Sequence, residues 1–102
     1  MANKSDLIVV ASARAKPGKE KDLAQALREV AQPTRAQPGC LAFSLHRSVD
    51  DPAVIIGIER WASKADHDRH LQGPHFQKLG NAMASLIAEP PQIVWYDIMD
   101  EA

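Results

Sequence analysis

Three histidines, His67, His70 and His75, crowd one short stretch of the chain. Imidazole is the side chain whose ordinary pKa lets it take up and release a proton near neutrality, so the cluster is a candidate for acid–base chemistry. His67 and His70 stand three residues apart, which puts both on one face of a helix, where two imidazoles could also hold a metal ion. Nothing else in the chain offers a second fixed pair of ligands, and Asp66 and Asp68 suit solvent-exposed helix positions equally well. The simpler reading is a helix carrying one or two pocket histidines, with no metal.

Glu59 interrupts an apolar run immediately before Arg60 and Trp61. A carboxylate on a buried strand is costly unless it is paired or hydrogen-bonded, which makes Glu59 a second candidate. A hairpin turn centred on Asp50-Asp51 would put Ala42, Ser44 and His46 on one sheet face with Gly57, Glu59 and Trp61, and Leu41, Phe43 and Leu45 on the other with Ile56 and Ile58. The first set could line a cavity holding an acid/base pair. It could equally form a polar patch between subunits, with Glu59 paired to Arg60 or Arg47, and a register slip of one residue exchanges the two faces. Cys40 opens a strand and reads as a small buried hydrophobe rather than a nucleophile. Met83 and Met99 read as core filler. No P-loop, G-x-G-x-x-G or G-x-S-x-G occurs, so phosphate cradles and nucleophile-elbow hydrolysis have no support.

The elements that must position these groups are legible from patterning. Leu7 to Ala13 is apolar and β-branched and ends at Lys16-Pro17-Gly18, which predicts a first strand and a turn. From Lys19, Leu23, Leu27 and Val30 recur at helical spacing, and Pro33 should kink or end that helix. Pro38-Gly39 precedes a second strand, Cys40 to Ser48, and Val49-Asp50-Asp51-Pro52 is turn chemistry leading into a third, Ala53 to Trp61. Ser63 with Asp66 forms a capping box for a short helix that Gly73-Pro74 breaks. A third helical stretch sets Phe76, Leu79, Met83, Leu86 and Ile87 on one face, Pro90-Pro91 stops it, and Gln92 to Met99 is the last strand. The order βαβ, then βαβ with a broken helix, predicts a ferredoxin-like α+β fold: a four-stranded antiparallel sheet with its helices on one face.

With 102 residues, this is the length of one domain, residues 1–102 with a core over about 7–99, and no linker or repeat is visible. A chain of this size buries only about 60–65% of its unfolded surface. The single cysteine allows no internal disulfide or zinc finger to compensate. A net charge of -1 gives no basic field for nucleic acid or an anionic membrane. Apolar runs such as Leu7 to Ala11 and Val54 to Ile56 fall far short of a membrane span, and Met1 to Asp6 shows no signal-peptide pattern, so the cytoplasm is the expected compartment. The third and fourth strands, VIIGI and IVWYDIM, are apolar at odd and even positions alike, the pattern of strands buried on both faces. One layer of helices covers one face only. The other is expected to meet a second copy, giving a face-to-face homodimer.

Five segments then occur in order: Lys16-Pro17-Gly18-Lys19-Glu20, Gln37-Pro38-Gly39-Cys40, Asp51-Pro52, Glu59-Arg60-Trp61 with Ser63, and His70-Leu71 with Pro74-His75-Phe76. Together, over about Leu7 to Tyr96, they resemble the antibiotic biosynthesis monooxygenase (ABM) domain family. That family more often has an acidic residue at Gln37, a departure at a loop position expected to leave the site untouched. The resemblance implies a dimeric α+β barrel with a pocket between sheet and helices. Some members oxygenate polycyclic quinol-type compounds without metal or flavin, some degrade haem, and one group isomerises a small phosphorylated sugar, so fold alone does not name the reaction. The asparagine and histidine that haem degraders require fall at Ala11 and Gly80 here, leaving only Trp61 of that triad. His70 and His75 match the histidine-rich segment of the quinol monooxygenase-like and isomerase members.

The function expected from the resemblance is a cofactor-independent monooxygenase or oxidase of a small quinol-type aromatic compound, with O2 as co-substrate. His70 or His75 would be the base, Glu59 its orienter or a partner of the substrate, and Trp61 and Phe76 apolar walls, with Ser44 and His46 also against the substrate. An isomerase of an anionic metabolite, using Arg35, Arg47 or Arg60 as its cationic contact, and a non-catalytic ligand-binding dimer are the alternatives. The near-neutral charge favours an uncharged aromatic substrate over a phosphorylated one.

Overall fold

A computed structural model describes residues 6–101; residues 1–5, which make up all but Asp6 of the Met1 to Asp6 segment without a signal-peptide pattern, and residue 102 lie outside the described residues. The elements are β1 (Leu7–Arg14), α1 (Glu20–Arg35), β2 (Cys40–Arg47), β3 (Val54–Trp61), α2 (Lys64–Gln72), α3 (Pro74–Met83) and β4 (Gln92–Asp97). The sheet runs β2-β3-β1-β4 with every neighbouring pair antiparallel, the ferredoxin-like α+β arrangement.

Local chemistry accounts for most boundaries. Gly18 takes φ of 82°, the left-handed turn that only glycine adopts at no cost, between β1 and α1. Glu20 and Asp22 in the first turn of α1 and Arg35 in its last complement the helix dipole. Ser63 caps α2, its hydroxyl accepting from the Asp66 N–H at 3.1 Å. Pro74 sits in the first turn of α3, where its missing N–H costs nothing.

Two helix ends differ from expectation. Pro33 lies inside α1, which continues to Arg35, because a proline in the final turn forfeits a single hydrogen bond and Thr34 donates from its hydroxyl to the Val30 carbonyl at 2.7 Å beside it. At the other end, α3 stops at Met83, and Leu86 and Ile87 are not on its face. They belong instead to a turn whose backbone is captured by the end of β1: Lys16 donates to the Leu86 carbonyl and Ala88 to the Arg14 carbonyl, both at 2.8 Å. Both side chains still pack on the core of Ala13, Ala15, Leu23, Ala24, Ile55 and Met83. Alanines at these positions let α1 lie close to the sheet.

The register overturns the face assignment for the hairpin. Phe43 pairs with Glu59, Leu45 with Gly57 and Arg47 with Ile55, so Phe43 and Leu45 share the face of Glu59, while Ser44 and His46 share the other face with Ile58 and Ile56. The hairpin is centred on Asp51 rather than between Asp50 and Asp51. Ser48 accepts from the N–H groups of Asp50 and Asp51, and Asp51 accepts from that of Ala53, which sets a wider loop than a tight turn. A half-residue shift of the centre is a one-residue slip in pairing, so the side chains from Ala42 to Arg47 change face, up to the irregularity between Cys40 and Ala42.

Val9, Ala11, Ile55, Gly57, Glu59, Trp61 and Ile93 therefore lie under the helices. Ile8, Val10, Ile56, Ile58, Val94 and Tyr96 form the opposite face, where Ile58, Val94 and Tyr96 are 40%, 41% and 50% exposed. This open, apolar sheet face is the two-sided strand pattern in three dimensions.

Candidate functional site

The site begins with Trp61, the last residue of β3, which is fully buried. Residues two apart on a strand face the same way, so the Trp61 indole reaches back to Glu59 and donates from Nε1 to Oε1 at 2.8 Å. Helix α2 crosses above and turns His67 and His70 inward, 1% and 4% exposed. His67 Nε2 lies 3.8 Å from Glu59 Oε1, and Trp95 of β4 donates from its indole N–H to His67 Nδ1 at 3.0 Å. Since an indole can only donate, neutral His67 must carry its proton on Nε2, the nitrogen facing Glu59.

His70 is held by the loop before β2. Its Nδ1 lies 2.6 Å from Gln37 Oε1, so Nδ1 bears the proton in the neutral ring and Nε2 keeps its lone pair. The His70 ring stacks at a tilt on Trp61, 5.1 Å between centroids, and meets Phe76 edge-on at 5.3 Å. Gly39 brings this loop close: it takes φ of 85°, its carbonyl accepts from the Ala62 N–H at 2.8 Å, and a Cβ there would collide with the Asp66 side chain. Gly39→Ala therefore adds a left-handed strain to a collision that dislodges Asp66 from the α2 cap, and stability should fall by about 2 kcal/mol or more. Gly18→Ala carries the strain alone, with open space around its Cβ, so thermal melts of the two variants should differ by the Asp66 contact.

Between sheet and helices lies a cavity of about 80 Å³, lined mostly by apolar side chains including Phe43, Leu45, Phe76, Leu79 and Met83. Its polar groups are few, Glu59 and His70 among them. Gly57 leaves room beside the carboxylate, since a Cβ there would sit 3.8 Å from Glu59 Oε2 in ordinary contact. Burial raises the Glu59 pKa against the lowering effect of the Trp61 hydrogen bond. Burial lowers that of His67, and it pushes His70 down to about 4, aided by the neighbouring charges of His67 and His75. Cys40 is also raised, by burial first and by Glu59 second, so its thiol stays protonated, though the side chain is half-buried rather than the buried hydrophobe expected.

The depressed histidines have a consequence for stability. Above the ordinary imidazole value of about 6.5 both folded and unfolded His70 are neutral; below it only the unfolded chain gains a proton, until the folded value of about 4 is reached. Stability therefore drains between those limits as pH falls, while the raised Glu59 works in the opposite sense. Replacing His70 by glutamine should flatten the decline, as measured by urea midpoints across that range.

The structure thus brings together Glu59, Trp61, His70 and Phe76. It does not bring in the other predicted residues. His75 is exposed, in a separate surface groove with Pro33 and Lys78. Ser44 and His46 lie across the sheet from Glu59, 2.9 Å from one another. Glu59 pairs with neither Arg60 nor Arg47; Arg60 is taken by Asp6 and Glu101. Conversely, Gln37 touches the site directly through His70 Nδ1, contrary to the expectation for its loop. His67 and Trp95 complete the network. The Nδ1 atoms of both helical histidines are occupied, and among the described residues no group of three or more His, Cys, Asp or Glu is placed to hold a metal ion.

The family model described as antibiotic biosynthesis monooxygenase, ABM, matches residues 6–81. The chain belongs to this family. ABM relatives include "Putative monooxygenase Rv0793" of Mycobacterium tuberculosis, 28% identical over 98 residues and covering 96% of both chains. Its solved structure superposes with a TM-score of 0.89, covering 96% of this chain and 99% of that one. The structure of PA3566 from Pseudomonas aeruginosa is similarly close, with TM-score 0.88 at 28% identity over 94% and 96% of the two chains. A further relative, uncharacterized protein sll1783 of Synechocystis sp., is 26% identical over 94 residues, 92% of this chain but 64% of its own length, so this chain spans less than two thirds of that relative. No helix among the described residues is long and apolar enough to cross a membrane.

Proposed function

We propose that this ABM protein is a cofactor-independent oxygenase or oxidase of a small quinol-type ring, with His70 as the base and Glu59 as acceptor for a substrate hydroxyl. The observation that carries this reading is a carboxyl and an imidazole, both almost fully buried, facing one apolar cavity. Buried titratable groups cost stability, and cavities that hold them are where proton chemistry is done. His70 is the base rather than His75 because it alone of the two lines the cavity. With Nδ1 committed to Gln37, the incoming proton goes to Nε2. Burial disfavours an isolated imidazolium, so the proton moves when the quinolate charge forms beside it, and the two charges appear as a pair.

The deprotonated ring is the electron donor. As an oxidase, two electrons and two protons leave the quinol, yielding quinone while O2 becomes hydrogen peroxide. As an oxygenase, one oxygen atom replaces the hydrogen of a ring C–H as a hydroxyl and the other leaves as water, the quinol supplying the two electrons so that quinol and O2 give hydroxyquinone and H2O. An oxygen electrode with menadiol-type quinols tests the reading: uptake should saturate with quinol and scale with protein. Uptake no faster than without protein removes it.

We also propose that the open sheet face pairs with a second copy. The exposure of Ile58, Val94 and Tyr96 on one face supports this, since such contiguous apolar surface is uncommon on a monomer. Ile58→Lys should convert a dimer to a monomer in sedimentation velocity; a monomer before substitution removes the reading.

A further inference from the structure

Six arginines occur in the chain, and they divide into two groups. Arg14, Arg60 and Arg69 are neutralised by carboxylates: Asp51 and Glu89, Asp6 and Glu101, and Asp66 respectively. Arg28, Arg35 and Arg47 have no carboxylate within ion-pair distance among the described residues, and all three line one groove of about 460 Å³ between α1 and β2. The helix spacing explains it. Ala24, Arg28, Ala31 and Arg35 fall on one stripe of α1, and Arg47 projects from β2 on the same sheet face as Leu45 and Ile55. Arg35 is already oriented, its Nε donating to the Phe43 carbonyl at 3.0 Å and its guanidinium 6.0 Å from the centre of the Phe43 ring.

Leu27, Leu45 and Ile55 line both this groove and the cavity that holds Glu59 and His70, so the two spaces share a wall. Gathering three cations without counter-ions is unfavourable in itself, and an anion relieves it. Guanidinium forks match a carboxylate in shape as well as charge. We propose that the groove binds the carboxylate of an aromatic acid whose hydroxylated ring reaches toward the cavity, so that the substrate class is a carboxylated quinol. This rests on the cavity being a substrate site. It also qualifies the near-neutral net charge, which averages over a locally cationic groove.

The test compares two probes, 2,5-dihydroxybenzoate and uncharged 1,4-dihydroxybenzene, by isothermal titration calorimetry on the intact protein. The carboxylated probe should bind about tenfold more tightly, and the preference should shrink as salt rises. Arg28→Gln, Arg35→Gln and Arg47→Gln should each weaken 2,5-dihydroxybenzoate several-fold while leaving 1,4-dihydroxybenzene unchanged, and Arg69→Gln should alter neither. Equal affinities, loss of both probes together in the arginine variants, or no binding of either probe would overturn the proposal. Oxygen uptake separates it from the reaction assigned above. Selective binding of 2,5-dihydroxybenzoate without uptake upholds the groove and removes the oxidase reading, whereas uptake with both quinols at equal KM does the reverse.

Discussion

His70→Gln is expected to lower kcat for quinol oxidation by about 10²- to 10⁴-fold, the usual contribution of a positioned general base. Glutamine approximates the length of imidazole and can still hydrogen-bond, but it accepts no proton near neutrality. Because His70 sits against Trp61 and Phe76 as well as Gln37, the substituted side chain keeps a packed environment, and KM should move far less than kcat. His75→Gln, outside the cavity, should leave turnover within about twofold. Gln37→Glu adds a separate handle. A carboxylate at Nδ1 favours the imidazolium, so the acid limb of the pH–rate profile should move to higher pH. A purely structural role for Gln37 would lower the rate without moving that limb. Equal turnover in wild type and His70→Gln would sink the assignment of the base.

Trp61→Ala should be the most destabilising single substitution in the site, at about 3–5 kcal/mol for the lost side chain. Trp61 is fully buried, and its indole both packs on His67 and His70 and supplies the hydrogen bond to Glu59 Oε1. Small domains hold only about 5–15 kcal/mol in total, so this change takes a large share. Trp61→Phe separates the two roles. It retains much of the ring volume but withdraws the N–H from a buried carboxyl, an expected cost of about 1–3 kcal/mol. That cost should diminish as pH is lowered and Glu59 protonates, because the neutral acid demands less of its surroundings. Urea unfolding at two pH values checks both statements, and a Trp61→Phe protein as stable as wild type at neutral pH would contradict the second.

Why the fold was legible and part of the site was not comes down to the range of the forces involved. β-branched runs, Pro-Gly turns and the Ser63 cap act between near neighbours, so element order and the ferredoxin-like class follow from local patterning. The register of β2 on β3 depends on how Ser48 and Asp51 fold the intervening loop, and that half-residue displacement moved Ser44 and His46 away from Glu59. Leu86 and Ile87 left the helical pattern because the chain at the end of β1 competed for the Leu86 carbonyl and the Ala88 N–H, a long-range contest that periodicity cannot register. His70 and Glu59 were identifiable because a histidine cluster and a carboxylate in an apolar strand are chemically conspicuous. Gln37 was not, since its importance lies in a contact across more than thirty positions of chain.

The indole pair has one further consequence. Trp61 and Trp95 are the only two tryptophans in the chain, and their N–H groups end on Glu59 and His67. Every chromophore that dominates near-ultraviolet emission is thus wired to an ionisable group, Glu59 on the cavity wall or His67 beside it. Protonation, substitution or occupancy there should change emission intensity and wavelength without any attached label, making the native protein its own optical titrant.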